Sequence, residues 1–395
     1  MENFIKPRYD AGGFAGLPQR IRDSLTGPEK YDAVVLFLID GFGWRFFEKF
    51  QQESFLRSIA HLGRVEKLTS QFPSTTAAHL TTLHTGLPVG AHGVFEWTYY
   101  EPSLDALIQP LLFSHGGTRE RDTLKQIGAR PRRIFPTATF YQSLKKMGIP
   151  TTIYQHREIT PSSYGDVLMA GARVTGYKTL PEALVTLAED LTRSNQPGYY
   201  MLYNDKVDAI SHEYGPDSSQ TAAEIQMLLL TMETIFQKAM ALSHKKILCL
   251  LTADHGQSET DPGTTIYLNR DPRFKGFEAF LRTDQHGQPI IPAGSPRDFF
   301  LYIRPGRLDE ALSYLAPRLE GQAEVRKVAD LAAEGYFGPL VSPKFRLRAG
   351  DLVILPHRYE SVWWYEKDHY EQKYYGHHGG LTAQEMEIPL LIWEL

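Results

Sequence analysis

Short apolar runs rich in β-branched residues alternate with helical patterns along much of this chain. The first run, YDAVVLFLIDG at 31–41, is hydrophobic almost throughout, as in strands that are buried on both faces of a parallel sheet. Three helical patterns are each followed by another such run: 140–147 by 151–154, 181–191 by 198–205, and 225–239 by 246–252. These repeated units predict an α/β fold with a mostly parallel central sheet and helices on both faces.

The 395 residues are enough for one large core with an inserted lobe, or for two domains. Residues 264–371 are rich in turn residues and contain short strand-like runs, which predicts a smaller inserted α+β lobe. The main α/β domain then comprises residues 25–263 and 372–395, and residues 1–24 form an N-terminal extension. A second, smaller insertion is predicted at 99–117.

Charge and hydropathy argue against several classes of partner. The formal net charge of −4 gives no basic field, so no stable nucleic-acid partner is expected. The first residues do not read as a secretory leader, and no uncharged apolar stretch is long enough to cross a bilayer. We therefore expect a cytoplasmic protein without a membrane partner, and the oligomeric state stays open. The single cysteine, Cys249, lies in an apolar run and is expected to be a buried, inert thiol.

Acidic and histidine side chains follow several of the predicted strands. In parallel sheets ligands bind beyond the carboxyl ends of the strands, and Asp40 follows the first of them. Asp208 and His212 are four residues apart, which places them on one face of a helix in a spacing suited to a metal. An isolated pair of this kind is more often a solvated ion pair, and Asp205 is a competing carboxylate.

Two further motifs add candidate ligands. Asp254 and His255 directly follow a predicted buried strand, and Gly256 would permit the chain to turn there. The alternative for Asp254 is that it caps a following helix. Near the C-terminus, YYGHHGGLT sets His377 and His378 before two glycines, although such a motif can also be a surface turn.

Taken together, these motifs supply three carboxylates and three histidines at predicted loop positions. Mixed nitrogen and oxygen ligation suits zinc or another divalent first-row metal better than magnesium. The set is large enough for two ions, and a pair about 4 Å apart is the usual arrangement for displacement at phosphorus.

The stretch FPSTTAAHLTTLHTG at 72–86 places two threonines before a helical pattern. One of them could simply cap the helix. A threonine hydroxyl hardly ionises at neutral pH, so a threonine nucleophile needs a base or a metal, and a dimetal site would supply that activation. A helix that begins near Ala77 would also direct its first N–H groups at a bound anion. The two interpretations are compatible.

The order of these motifs resembles the alkaline-phosphatase superfamily, and most closely its type I phosphodiesterase/nucleotide pyrophosphatase branch. The matching features are an Asp after the first strand, a threonine-bearing helix start, D-x-x-x-H-x-x-G-P, DHG and G-x-H-G. The resemblance implies one metal held by Asp40, Asp254 and His255. It implies a second metal held by Asp208, His212 and His378.

The same resemblance implies a nucleophile ten residues before Gly86, which is Thr76 and not Thr75. Thr76 would also bind a metal, and the N–H group of Ala77 would donate to the developing charge. The implied activity is metal-dependent hydrolysis of phosphodiester or pyrophosphate bonds in small, nucleotide-like phosphorylated substrates, through a phospho-threonine intermediate. The implied cofactors are two divalent ions, zinc in the first place, with manganese or iron as alternatives.

One departure from the family pattern concerns substrate binding. The branch usually has an asparagine shortly after HG, whereas this chain has Trp97 there with Glu96 beside it. Trp97 donates a single N–H, and Glu96 would repel an anionic phosphoryl group. A phosphonate or phosphomonoester hydrolase, or a metal-binding scaffold with reduced catalysis, therefore stays an alternative. The arginine that follows the nucleophile in many monoesterases is replaced by Ala77, which favours a singly charged diester.

Aromatic residues cluster at 95–102 and 358–375. They could stack on a planar part of the substrate, or they could pack the inserted lobe onto the main domain.

Overall fold

The structure is a computed structural model that describes residues 4–28, 30–241 and 243–395. It contains several β-sheets, and seven of the strands form the central one. In chain order the strands are β1 Ala33–Ile39, β2 Arg64–Thr69, β3 Tyr99–Glu101, β4 Ala106–Gln109, β5 Ser114–His115, β6 Thr151–His156, β7 Arg173–Tyr177, β8 Gly198–Asn204, β9 Ile247–Thr252, β10 Ser258–Glu259, β11 Ile266–Tyr267, β12 Ala293–Ser295, β13 Asp298–Leu301, β14 Ala323–Lys327, β15 Leu352–Pro356, β16 Val362–Trp363, β17 Gly376–His377 and β18 Glu387–Glu394.

The α-helices are α1 Leu17–Thr26, α2 Trp44–Phe50, α3 Ser54–Leu62, α4 Thr76–Thr85, α5 Val89–His92, α6 Thr123–Gln126, α7 Pro131–Ile134, α8 Phe140–Lys146, α9 Ser163–Leu168, α10 Leu180–Arg193, α11 Lys206–Tyr214, α12 Ser219–Thr231, α13 Lys238–Met240, α14 Leu308–Leu315, α15 Val328–Ala333, α16 Pro343–Arg348 and α17 Ala383–Met386. Short 3-10 helices lie at Phe14–Gly16, Arg157–Ile159, Pro262–Thr264, Pro272–Phe274, Phe277–Phe280 and Ala316–Arg318. A π-helical turn, Met232–Gln237, joins α12 to α13, so the helix predicted over 225–239 is widened in its middle. Within the described ranges, no helix is long and apolar enough to span a membrane.

The strand order of the central sheet is β2-β18-β9-β1-β8-β6-β7. All neighbouring pairs from β9 to β7 are parallel, whereas β18 runs antiparallel to both β9 and β2. Every residue of β1, β8 and β9 is buried, which requires cover on both faces of the sheet. The predicted α/β fold with a mostly parallel sheet is confirmed. Cys249 is buried within β9, as expected.

A second, antiparallel sheet has the order β12-β13-β15-β14 and lies in the predicted lobe. Its two faces bury different surfaces, because side chains alternate along a strand. Phe299 joins a cluster within the lobe, whereas its neighbour Phe300 joins the cluster that contains Phe72 and Phe95 of the main domain. The small sheet β3-β4-β5 lies within the smaller insertion predicted at 99–117.

The proposed boundaries of the lobe, the main domain and the N-terminal extension stay predictions. Residues 1–3 of that extension lie outside the described residues.

Gly256 follows β9 in a place where two backbones approach closely. A Cβ at this position would lie 2.1 Å from the carbonyl oxygen of Gln384 and 3.1 Å from the Cα of Gly43. Gly256 is not among the glycines with positive φ, so close packing explains this glycine better than the turn that the sequence suggested.

We predict that Gly256→Ala destabilises the protein by about 1–3 kcal/mol or more, because neither neighbouring backbone can move cheaply. Urea denaturation would measure the loss. Gly263→Ala is the control, since a Cβ there meets only the flexible side chain of Asp261. Equal stabilities for the two variants would contradict the packing argument.

Candidate active site

Three neighbouring parallel strands bring the predicted ligands to one edge of the central sheet. Asp40 follows β1, and the pair Asp254 and His255 follows β9. Helix α11 begins just after β8 and carries Asp208 and His212 on its first turns. Because β9, β1 and β8 are adjacent and parallel, their carboxyl ends meet at the same edge.

The first cluster contains Asp40, Asp254, His255 and Thr76. His255 Nε2 lies 3.4 Å from Asp40 Oδ1 and 3.5 Å from Asp254 Oδ2. Thr76 Oγ1 lies 3.2 Å from the same nitrogen and 3.5 Å from Asp40 Oδ2. A tetrahedral zinc ion with bonds of about 2.0–2.1 Å separates its ligands by about 3.3 Å. The spacing in this cluster therefore fits such an ion.

Both carboxyl groups of this cluster keep one oxygen without a hydrogen-bond partner. Asp40 Oδ2 accepts from the Tyr203 hydroxyl, and Asp254 Oδ1 accepts from the N–H groups of Gly41 and His255 at 3.2 and 3.0 Å. Asp40 Oδ1 and Asp254 Oδ2 are buried and unpartnered among the described residues. Oxygens of this kind are the atoms that a cation would bind.

Burial of these two acids raises the pKa of both, because the ionised forms lose contact with water. Burial, followed by the charges of Asp254 and Asp208, raises the pKa of Asp40 well above its usual value. Burial and the charge of Asp208 raise the pKa of Asp254 to about 6. A bound cation would reverse both shifts by stabilising the ionised forms.

The second cluster is built around Asp208. His212 Nε2 lies 3.3 Å from Asp208 Oδ2, and His378 Nε2 lies 3.7 Å from Asp208 Oδ1. Ligand atoms that all lie within 4.8 Å of one another form two groups, Asp208 with His255 and His378, and Asp40 with Asp254 and His255, so His255 borders both clusters, whereas His212 is in neither group. Burial acts to raise the pKa of Asp208, but His212 and the other histidines bring it below its usual value.

Three histidines share one tautomer, which a hydrogen bond to the backbone fixes. In each of them Nδ1–H donates to a carbonyl oxygen: His212 to Gly376 at 2.7 Å, His378 to Ser74 at 2.8 Å and His255 to Gly256 at 3.0 Å. In the neutral state each Nε2 then has a free lone pair directed at carboxylate oxygens. Lone pairs that face carboxylates repel unless a cation lies between them, so the donor chemistry fits a metal.

The fourth histidine of the sequence motifs differs. His377 Nδ1 lies 3.0 Å from both the N–H and the carbonyl oxygen of its neighbour His378, and its ring is therefore not held by the backbone of a distant loop as those of His212 and His378 are. It belongs to neither cluster of ligand atoms in the described chain. The structure thus distinguishes His378 from His377 as the G-x-H-G pattern does.

Thr76 is the first residue of α4, and Thr75 is its N-cap residue. The Thr75 side chain makes no capping hydrogen bond; its hydroxyl lies beside the Glu96 carboxyl group, where it acts to lower the pKa of that acid. The hydroxyl of Thr76 faces His255 and Asp40. Of the two threonines, only Thr76 therefore has contacts with the candidate ligands.

The predicted substrate-binding residues have different surroundings. Ala77 is fully buried, and as the second residue of α4 it has an N–H group without an acceptor in its own helix. Trp97 is 42% exposed. When the Gln109 amide is oriented so that its nitrogen donates to the carbonyl oxygen of Thr118, its oxygen Oε1 accepts the indole N–H of Trp97 at 3.1 Å. Glu96 is fully buried, so the expectation that its charge repels a phosphoryl group does not fit its position.

The aromatic clusters serve mainly in packing. Phe95 and Tyr99 are fully buried with their ring centroids 5.1 Å apart, and Phe95 lies 5.0 Å from Phe300 of the lobe sheet. The exposed members are Trp97, Tyr359, Tyr374 and Tyr375, and the Tyr374 ring lies 5.0 Å from that of His212.

Sequence reasoning missed three residues that hold the ligands in place. The Tyr203 hydroxyl donates to Asp40, and Gln257 Nε2 donates to Asp208 Oδ1 at 2.6 Å. Ser74 binds the loop of His378, because its Oγ accepts the N–H of Gly379 at 3.1 Å. Gln257 could have been suspected from its place directly after DHG, whereas the sequence offers no signal for the other two.

Comparison with known proteins identifies relatives of this chain. The family described as type I phosphodiesterase / nucleotide pyrophosphatase matches residues 34–381. Venom phosphodiesterase CdcPDE of Crotalus durissus collilineatus is 28% identical over 286 residues, or 69% of this chain and 32% of that protein. Ectonucleotide pyrophosphatase/phosphodiesterase family member 3 of Bos taurus is 27% identical over 293 residues, or 70% and 30% of the two chains. The match thus spans about a third of the length of these relatives.

A solved structure of murine ectonucleotide pyrophosphatase/phosphodiesterase 5 is similar in fold. Its TM-score is 0.66 at 17% sequence identity, and the match covers 91% of this chain and 87% of that one. A second murine structure is of an inactive threonine-to-alanine variant in complex with AMP. The alkaline-phosphatase-like fold expected from the motifs is confirmed. Since the family match extends over most of its length, the chain belongs to the type I phosphodiesterase/nucleotide pyrophosphatase family.

Proposed function

We propose that the protein is a metal-dependent hydrolase of phosphodiester or pyrophosphate bonds in small, nucleotide-like substrates. The observation that carries the proposal is the position of Thr76 Oγ1, 3.2 Å from His255 Nε2 and 3.5 Å from Asp40 Oδ2 at the strand edge. The names of the relatives, phosphodiesterases and nucleotide pyrophosphatases, support the type of bond.

Two divalent ions would be held by the two clusters. Asp40, Asp254, His255 and Thr76 would hold one, and Asp208, His212 and His378 the other. The mixed nitrogen and oxygen ligand sets and their spacing favour zinc, with manganese or iron as alternatives. When bound, the ions would activate the threonine hydroxyl and offset the charge that develops on the phosphoryl and leaving-group oxygens.

The residues of the chain then define the order of events. Thr76 Oγ1 attacks phosphorus, the bond to the leaving-group oxygen breaks on the opposite side, and the phosphoryl group remains on the threonine. Water hydrolyses this phospho-threonine and restores the hydroxyl. As the second residue of α4, Ala77 offers its N–H group to a phosphoryl oxygen, as expected from the family resemblance.

We predict that Thr76→Ala lowers kcat on bis-p-nitrophenyl phosphate by about a thousandfold or more, because the hydroxyl forms the covalent intermediate. Zinc content should change little, since carboxylates and histidines supply the other ligands. Thr75→Ala is the control and should lose much less, about a hundredfold at most, because its hydroxyl does not contact the ligands. Equal losses in the two variants would contradict the assignment of Thr76.

We also predict that kcat/KM for bis-p-nitrophenyl phosphate exceeds that for p-nitrophenyl phosphate by about tenfold or more. The residue after Thr76 is the alanine Ala77, so no cation is supplied there for the second charge of a monoester. Steady-state rates on the two esters at one pH would test this. A monoester preference would favour a phosphomonoesterase instead.

Removal of divalent ions should make the stability of the protein depend on pH. In the cation-free protein the pKa of Asp254 is raised to about 6, so between its unfolded value and 6 the folded state holds an extra proton. Folding stability should therefore fall as the pH rises through this window, by about 1–3 kcal/mol in total. Urea denaturation of chelator-treated and zinc-loaded protein from pH 4.5 to 7.5 would measure it, and the decline below pH 6 should be smaller in the zinc-loaded protein, because bound ions stabilise the ionised form of Asp254.

A further inference from the structure

Two buried acids from distant parts of the sequence, Glu96 and Asp298, lie next to each other beside Thr75, the residue that precedes helix α4. Glu96 follows α5 in the main domain, and Asp298 begins β13 of the lobe sheet. Both side chains are fully buried, and their carboxyl groups lie within hydrogen-bonding reach of each other. The reaction proposed above uses neither of them.

Their hydrogen bonds leave one oxygen on each acid without a donor. Glu96 Oε2 accepts the N–H of Trp97, and the Thr75 hydroxyl and the Thr98 N–H lie beside the Glu96 carboxyl group, where they act to lower its pKa. Asp298 Oδ1 accepts from Ser295, from its N–H at 3.0 Å and from its hydroxyl at 2.5 Å. Glu96 Oε1 and Asp298 Oδ2 have no partner within the described ranges.

No basic side chain in the described chain is available to neutralise the pair. Arg297 is next to Asp298, but its guanidinium group is engaged by Glu385 at 3.0 and 2.9 Å. Arg348 is paired in the same way with Glu101. Glu385 also adds its negative charge to the surroundings of Asp298. Two ionised carboxylates would therefore repel each other in a dry interior.

We propose that Glu96 and Asp298 share one proton, and that this acid–carboxylate pair positions the turn that carries Thr76. A single proton held between the two carboxyl groups would give them a donor, which fits the presence of an unpartnered oxygen on each, Glu96 Oε1 and Asp298 Oδ2. Among the described residues, no histidine is one of the main hydrogen-bond and charge partners of either acid, which argues against a further metal at this place.

The pair connects the two sides of the candidate active site. Through Glu96 it lies beside the hydroxyl of Thr75, the residue before Thr76. Through Asp298 it holds Ser295, whose hydroxyl lies 3.0 Å from the carbonyl oxygen of His378. Glu96 and Asp298 are thus positioning residues, and this part of the inference rests on the proposed function. The shared proton does not.

The pKa shifts agree with this geometry. Burial raises the pKa of Glu96 to about 8, and burial together with the charge of Glu96 raises that of Asp298 well above its usual value. The folded protein then holds a proton near neutral pH that the unfolded chain, with both acids ionised, does not hold. Its stability should fall as the pH rises between 5.5 and 7.5, by up to tenfold in the unfolding constant per pH unit.

Amide substitutions test the shared proton without any assay of activity. In Glu96→Gln the amide nitrogen can replace the proton and donate to Asp298, and in Asp298→Asn the donation is reversed. Each single variant of the zinc-loaded protein should unfold in urea within about threefold of the wild-type unfolding constant. The double variant places two amide donors against each other and should unfold more readily than the singles by tenfold or more.

Glu385→Gln is the matched control, because it removes an ionised partner from the buried guanidinium group of Arg297. It should raise the unfolding constant at least tenfold. The pH dependence between 5.5 and 7.5 should be weaker in Glu96→Gln than in the wild type. If Glu96→Gln is as damaging as Glu385→Gln, Glu96 is ionised and the proposal is overturned. Losses in both single variants that zinc or magnesium changes would indicate a bound cation and would overturn it equally.

The positioning role has its own readout. Glu96→Ala should lower kcat on bis-p-nitrophenyl phosphate at least tenfold with less change in KM, and Glu96→Gln should recover most of that loss. A loss in Glu96→Ala that Gln does not recover would overturn the positioning role. If the wild type itself turns over no ester, the proposed function fails, and the unfolding experiments still decide whether the proton is shared.

Discussion

Asp40 and Asp254 end neighbouring parallel strands, and the fold buries both carboxyl groups where their charges repel. Burial of the apolar strands β1 and β9 on both faces fixes where these two residues lie. Nearby hydrogen-bond donors satisfy one oxygen of each acid, and the other oxygen has no hydrogen-bond partner among the described residues. The remaining charge has to be balanced at this edge of the sheet. The three histidine nitrogens and the threonine hydroxyl that surround the acids are arranged around that requirement.

The lobe packs against the main domain and also contributes residues that border the candidate active site. The ring centroid of Phe300, on one face of that sheet, lies 6.3 Å from that of Phe72 and 5.0 Å from that of Phe95. Phe72 precedes helix α4 in sequence, and Phe95 follows it. The loop of His378 is bound on one side by Ser74 and on the other by Ser295. The position of the candidate ligand His378 therefore depends on packing between the lobe and the main domain.

Sequence patterns predict the parts of this structure that are determined locally. The continuous apolar character of β1 predicts a strand buried on both faces, and the four-residue spacing of Asp208 and His212 predicts a shared helical face. What sequence could not supply is contact across long separations. Tyr203 reaches Asp40 from the neighbouring strand, and Glu96 meets Asp298 only because the lobe folds back. A charge pattern does not reveal burial, so Glu96 was expected to face the substrate.

The chain contains the same electrostatic problem twice, with different neighbours. At the strand edge, Asp40 and Asp254 have unpartnered oxygens beside His255 Nε2, whose lone pair is free because Nδ1–H is engaged by the backbone. Beside Thr75, Glu96 and Asp298 also have unpartnered oxygens, but their neighbours are hydroxyl and N–H groups. Under the two proposals, histidine nitrogens beside the first pair favour a metal ion there, whereas the second pair, which has no such nitrogens among its main partners in the described chain, takes a shared proton. The surrounding donors, and not the acids themselves, therefore decide which positive charge each pair takes.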